Sequence, residues 1–194
     1  MMKKRRGVVV FVLLLGMLAL GVGPTWADPI PTPDPRNVSA RAGSHARIEG
    51  DVTVRVLRTV SNNPDQPPGT VYFRTYRFVP QCSSGGCRTV MYRPRGDDFT
   101  RFVLKPRRSA SGERLYRGTA RPMADCDTPD GVIADAFTSV ERIVVHTPRV
   151  GVDNVATKVK GELVVDATPT PAGAAAGCGP GHYESTFRSV GPFS

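Results

Sequence analysis

The chemistry most legible in the chain belongs to its thiols. Cys82 and Cys87 stand in "QCSSGGCR", around a tip of small, turn-forming residues. Two thiols so placed can ligate a metal, cycle electrons or join each other. A metal site wants four ligands at suitable spacing, but the only imidazoles are His45, His146 and His182, and no Cys-x-x-Cys or His-x-x-x-His group occurs. A redox pair normally brackets two residues rather than four and sits near a βαβ pattern. A disulfide fits best. If the flanking "TYRFVPQC" and "CRTVMYR" are neighbouring strands, Ser83 to Gly86 is a four-residue hairpin loop and the two thiols oppose each other across the ladder. Cys126 and Cys178 are then left to pair by elimination, which accounts for all four cysteines.

Other constellations carry less. A Ser–His–acid hydrolase would need His182 and Ser185 near Asp125 or Asp127, but there is no Gly-x-Ser-x-Gly elbow. On a strand, moreover, His182 and Ser185 fall on opposite faces. The acids of "PRGDD" and "ADCDTPDG" read as turn chemistry; the second group holds enough oxygens for Ca²⁺ but lacks an EF-hand loop. No catalytic residue, metal ligand or cofactor is therefore assigned.

The basic residues are the most informative surface feature. Residues 74–121 hold twelve Arg or Lys against three acids, with Tyr76, Tyr92, Phe99, Phe102 and Tyr116 interleaved. Arg88, Arg93, Arg95, Arg101, Lys105, Arg107, Arg108, Arg114 and Arg117 are the candidates for a face that attracts a polyanion, whether a teichoic acid, an anionic lipid head group or nucleic acid. The opposing explanation is a solvated strand face in an arginine-rich chain, where arginine alternates with apolar residues for no binding purpose.

Those residues must be positioned by something. "MMKKRR", an apolar stretch through Gly23 and the small residue Ala27 follow the order of a secretory signal, with cleavage expected after Ala27. The domain plan is then a signal over 1–27, a Pro-rich tether over 28–48 and a β domain over 49–194. Removal of four basic and no acidic residues lowers the formal charge from +9 to +5. No second segment is apolar and long enough to span a bilayer, and an oxidising destination favours disulfides. From residue 50 the chain shows about eight short strand-like pieces divided by turns. "DVTVRVLRTV" puts Val52, Val54 and Val56 on one face, and "ATKVKGELVVD" puts Val159, Gly161, Leu163 and Val165 on one face. "GVIADAFTSV" fits a helical period as well as a strand. The expected fold is all-β: one antiparallel domain, an up-and-down barrel favoured over a two-sheet sandwich because closure removes exposed edges.

"YRFVPQCSSGGCRTVMYR", followed by "LYRG", "CDT", "ATKVKGEL" and a late "GC", resembles an uncharacterised family of secreted proteins and lipoproteins from high-GC Gram-positive bacteria. The resemblance covers roughly residues 50–190 and implies an exported all-β domain. It implies no activity, and the chain lacks the acylated cysteine of the lipoprotein members.

The expectation for function is a secreted, non-enzymatic β domain that binds an anionic envelope polymer or a protein partner through its basic face. Export argues against nucleic acid as that partner. The alternatives are a ligand-carrying barrel, whose interior does the work, and a secreted hydrolase of unrecognised type.

Overall fold

The computed structural model describes residues 46–194, apart from 84–85, 97, 109–113 and 152–153. The expected signal and most of the tether lie outside these residues. So do the side chains of Cys82, Cys87 and Arg108.

Nine strands occur among the described residues: β1 (Gly50–Ser61), β2 (Val71–Ser83), β3 (Gly86–Arg95), β4 (Asp98–Arg108), β5 (Arg114–Ala120), β6 (Met123–Thr128), β7 (Gly131–Val150), β8 (Ala156–Pro169) and β9 (Gly181–Ser189). All neighbours run antiparallel, in the order β5-β4-β3-β2-β1-β9-β8-β7-β6, and β5 also pairs with β7. That last pairing closes eight strands into a barrel and leaves β6 as an appendage, so the sandwich alternative is overturned. Each strand of the barrel then has a partner on both sides, and the first half of β4, before Lys105, is the stretch that β5 leaves unpaired.

The eight closing strands match the eight alternating segments of the sequence. The ninth element, β6, goes unsignalled by "MADCDT", whose polar residues show no apolar face. It nearly continues β5 along β7: Ala120 lies opposite Glu141, and Met123 opposite Thr138. Between them Pro122 cannot donate to the ladder, but its carbonyl accepts from the Ser139 amide at 3.0 Å. "GVIADAFTSV" is strand, not helix, as the first half of the 20-residue β7. The β6 and β8 backbones bond much of it from either side, which overrides a helical period. The one helix among the described residues, α1 (Pro171–Ala175), is a single turn with Pro171 at its start and Thr170 as cap, its hydroxyl accepting from the Gly173 amide at 3.2 Å.

The hairpin argument for Cys82 and Cys87 holds at the backbone level: they are direct partners in the β2–β3 register. Cys126 and Cys178 form the long disulfide, with Cα atoms 6.4 Å apart, and tie the projecting β6–β7 hairpin to the connection before β9.

Inside, the barrel is divided lengthwise. At the lower end Val52, Val54, Phe78, Met91, Leu104, Val145 and Val159 fill the lumen with hydrocarbon. Ala46 and Ile48 are fully buried with them, so the body takes in the last residues of the segment expected as tether. Arg47 bridges to Val155 in parallel, and the Tyr116 hydroxyl donates to the Ala46 carbonyl. The C-terminus closes the same end: Asp51 and Ser194 exchange two backbone bonds, and Phe193 packs on Phe78 at 6.0 Å between ring centroids. Gly161 faces this core, and a Cβ there would collide with the Val144 carbonyl and the Phe187 ring. A larger residue would push Phe187 out of its place.

The long disulfide spans 52 residues, so on the chain-entropy account it stabilises by about 4 kcal/mol. Replacing Cys126 and Cys178 together by Ala should lower the urea-unfolding free energy by roughly 2–4 kcal/mol while far-UV dichroism stays that of a barrel. An unchanged unfolding midpoint would show that the link does not constrain the chain.

Candidate functional site

The upper end of the lumen differs in kind. Period-two alternation delivers Arg58 from β1, Tyr72 and Tyr76 from β2, Arg93 and Arg95 from β3, Thr100 from β4, Ser139 and Glu141 from β7, and Tyr183 and Ser185 from β9 to one inward-facing region. Arg58 is 4% exposed, Arg93 9%, Glu141 2% and Ser185 1%. Polar groups this deep normally come with all their partners.

Arg93 and Glu141 form a buried ion pair through Nη2 and Oε2, and the same Nη2 donates to Thr100 Oγ1 at 3.2 Å. Burial works against the Arg93 charge, but Glu141, Tyr183 and Tyr76 outweigh it and hold the guanidinium's pKa above its ordinary value. Arg58 has a different arrangement. Its Nη2 donates to Gln66 Oε1 at 2.5 Å, and its guanidinium lies 3.8 Å from the Tyr183 ring centroid and 5.8 Å from that of Tyr72. Gln66 reaches it from the β1–β2 loop "NNPDQPPG". A bulge between Arg58 and Val60 breaks the β1–β9 register next to Arg58 and turns the strand.

Several of these buried groups lack partners. Arg58 Nε and Nη1, Arg93 Nε, Arg95 Nε and Ser185 Oγ are inaccessible and bond nothing. These five atoms lie at this end of the barrel, and Thr147 Oγ1 is likewise buried and bare towards the other. Below them Tyr76 meets Phe187 edge-on at 5.4 Å, marking the change from polar to hydrocarbon filling. A notch lies at the side too. β4 pairs with β5 only from Lys105 onward, so its first half separates from the β5–β6 junction. The notch between them has a volume of about 420 Å³ and is lined by Arg95, Asp98, Thr100, Ala120, Arg121, Met123 and Asp135, among others. Thr100 and Arg95 belong to both the notch and the polar lumen.

The sequence-level candidates divide. Arg88, Arg101, Lys105, Arg107 and Arg117 are exposed on the outer wall. Arg93 is corrected outright: it points into the barrel and is taken up by Glu141. Arg95 shares its parity and turns inward, and Arg114 is part-buried at the lower rim, donating to Asn154 Oδ1 at 3.0 Å. The reason is strand parity. Arg93 stands two residues after Met91, and the pleat commits both to one side. Arg58 belongs to no basic run and was not a candidate; its parity with Val52, Val54 and Val56 is the signal that pointed to it.

The triad is not assembled. His182 Nδ1 lies 2.7 Å from Asp166 Oδ1, on the outside of β9, whereas Ser185 faces the lumen. Asp125 accepts the Asp135 amide at 2.9 Å. Among the described residues no three His, Cys, Asp or Glu side chains converge as a metal site would require.

Burial raises the phenol pKa of Tyr76 and Tyr183, and pushes that of Tyr116 up to about 12. Below pH ~10 these phenols are neutral in both folded and unfolded chains and cost nothing. Above it the unfolded phenols lose protons that the folded ones keep, so stability falls as pH rises towards 12 and beyond. Tyrosinate absorbance should therefore show these three of the five tyrosines ionising together with loss of the β-sheet dichroism. Reversible ionisation of all three near pH ~10 with the fold intact would contradict their burial. Compared with family models, curated proteins and solved structures, the chain has no significant match.

Proposed function

We propose that the protein is an exported binding module that holds a small molecule in the upper half of its barrel. The single observation that carries this reading is the asymmetry of the lumen. One half is packed mainly by hydrocarbon, with Thr147 Oγ1 as its bare buried hydroxyl. The other half buries several donors that have no partner, at a cost of about 1–3 kcal/mol for each. A barrel needing only stability would fill both halves with hydrocarbon, because large apolar residues satisfy themselves. Aromatic walls at Tyr72, Tyr76 and Tyr183, with a few directed polar groups between them, are the composition of a ligand pocket. On this reading the notch between β4 and β6 gives access without opening the barrel. Nothing in this reading calls for turnover, and the ligand is carried rather than converted.

Native mass spectrometry of the protein isolated from the cells that secrete it tests this. The expected result is an added mass that disappears on denaturation, with a melting temperature that falls when the ligand is stripped. Bare polypeptide in every preparation, with no compound in a metabolite panel raising the melting temperature, would overturn it.

A second reading places the contact on the outer wall, where an anionic envelope polymer or a protein partner would bind. It is favoured by one rung of the barrel. Arg55, Arg188, Lys160 and His146 are direct neighbours across four consecutive strands, and the rung continues through Leu115 to Arg107. These first four residues line a groove of about 540 Å³ with Glu162 as its acid. Arg55 and Arg188 are like charges directly opposed on the sheet, which is unfavourable, so a polyanion laid along the rung would relieve them. Retention on heparin should then fall steeply between about 0.1 and 0.5 M salt, and Arg55→Glu with Arg188→Glu should abolish it. Retention that ignores salt or survives the double substitution excludes the outer rung.

A further inference from the structure

We propose that the ligand's recognised feature is a carboxylate or a phosphate monoester on a flat body, with its oxygens at Arg58 and Ser185. This inference rests on the reading of the upper lumen as a ligand site, and it names the chemistry that site selects.

Arg58 is a buried cation without an anion. Arg47 has Glu49, Arg77 has Asp51, Arg93 has Glu141 and Arg142 has Asp166. Among the described residues, Arg58 alone combines near-complete burial with a neutral hydrogen-bond partner, Gln66. An isolated buried charge costs several kcal/mol unless something compensates it. The two tyrosine rings compensate in part, but they meet the face of the guanidinium. A cation–π contact leaves the in-plane donors unused, and Nε and Nη1 are the donors that remain bare. Nε shares one edge of the guanidinium with Nη2, and Nη1 shares the end with it, so a carboxylate or phosphate takes one bare N–H together with the Nη2 hydrogen that Gln66 leaves.

Ser185 is placed to complete the site. It is the direct cross-strand partner of Arg58, it also faces the lumen, and its hydroxyl is bare. Opposed Cβ atoms stand about 5 Å apart, so the fork and the hydroxyl can share one anionic head. Arg93 differs, because Glu141 already balances its charge. Its bare Nε supplies direction without adding net charge. The three almost fully buried charges, Arg58, Arg93 and Glu141, therefore sum to one positive, and the part-buried Arg95 adds a second at the notch, which suits an anionic group. The phenols of Tyr76 and Tyr183 resist ionising, so they do not repel it. Among the described residues no open volume adjoins these donors, so a flat body enters only where the same rings move apart to become its walls, with Phe187 beneath.

The test follows arginine Nε–H signals in the ¹⁵N-labelled protein, with Arg58 assigned by its contacts to the Tyr183 ring. Benzoate, phenyl phosphate and the neutral methyl benzoate are titrated separately. We expect one or both anions to shift the Arg58 Nε–H signal and slow its exchange, with the tighter one identifying the head group, while the ester leaves it unchanged. Arg58→Gln should weaken the anion about 30-fold and Ser185→Ala about 5-fold. If Arg58→Gln does not fold, Arg58→Lys keeps the charge but loses the fork, and should still weaken binding about tenfold. Equal binding of the ester would overturn the anion inference and leave the lumen as a ligand site. An Arg58 signal that no probe moves, and that exchanges as a hydrated group, would overturn it as well. The mass-spectrometric result then decides separately whether the lumen holds anything.

Discussion

Closure is the constraint on which everything else depends. Once β5 pairs with β7, every strand of the eight has a neighbour on both sides, apart from the first half of β4, and the barrel has only two faces. Inward parity turns a residue to the lumen whatever its polarity, although Arg74, at that parity beside Tyr72, still reaches water. In an open sheet an arginine at an inward position could swing round an edge into water. Here Arg58 and Arg93 cannot, and the lumen has to accommodate two guanidinium groups.

It does so in two ways. Arg93 is neutralised by Glu141, an arrangement whose Coulombic gain is largely offset by the desolvation of both partners. Such a pair adds little stability over hydrocarbon of the same volume, but it fixes where its atoms sit. Arg58 is instead laid between aromatic rings and bonded to an uncharged amide. That arrangement holds the group in place and leaves part of its hydrogen-bonding capacity unused. Below these groups, Val, Leu, Ile, Met and Phe side chains fill the lumen, and both ends of the described chain seal it. The hydrocarbon half can supply the folding energy, which frees the upper half to carry unsatisfied donors.

The β6–β7 hairpin extends this economy beyond the barrel. β6 follows β5 along the same partner, but the interruption at Pro122 lets it diverge from β4, and the notch opens there. A projecting hairpin of six paired residues has little core of its own. The Cys126–Cys178 link and α1, packed where Gly173 meets the Ala136 carbonyl, hold its base to the body. The side opening is thus bordered by covalently restrained structure on one side and by the paired β3–β4 hairpin on the other.

Much of the fold was legible from period and punctuation. Val52, Val54 and Val56, and the run from Val159 to Val165, declare their inward faces. Proline and glycine clusters mark the turns, and the spacing of Cys82 and Cys87 places a hairpin between them. These signals are local, because alternation and turn chemistry act over a few residues. The site was not legible in the same way. "MYRPR" gives no sign that Arg93 shares a face with Met91 while Arg88 looks outward. Arg58 ends a valine stripe whose parity turns it inward, but nothing in the sequence says that its partner there is an amide and not a carboxylate. Charge in a sequence carries no direction until the strand's register and the closing partner assign it one. The amino-acid sequence by itself determined the eight closing strands, their turns and the Cys126–Cys178 pairing. Only the closed tertiary structure decided which arginines lie in the lumen, since that depends on which residues, far apart in the chain, face each other across it.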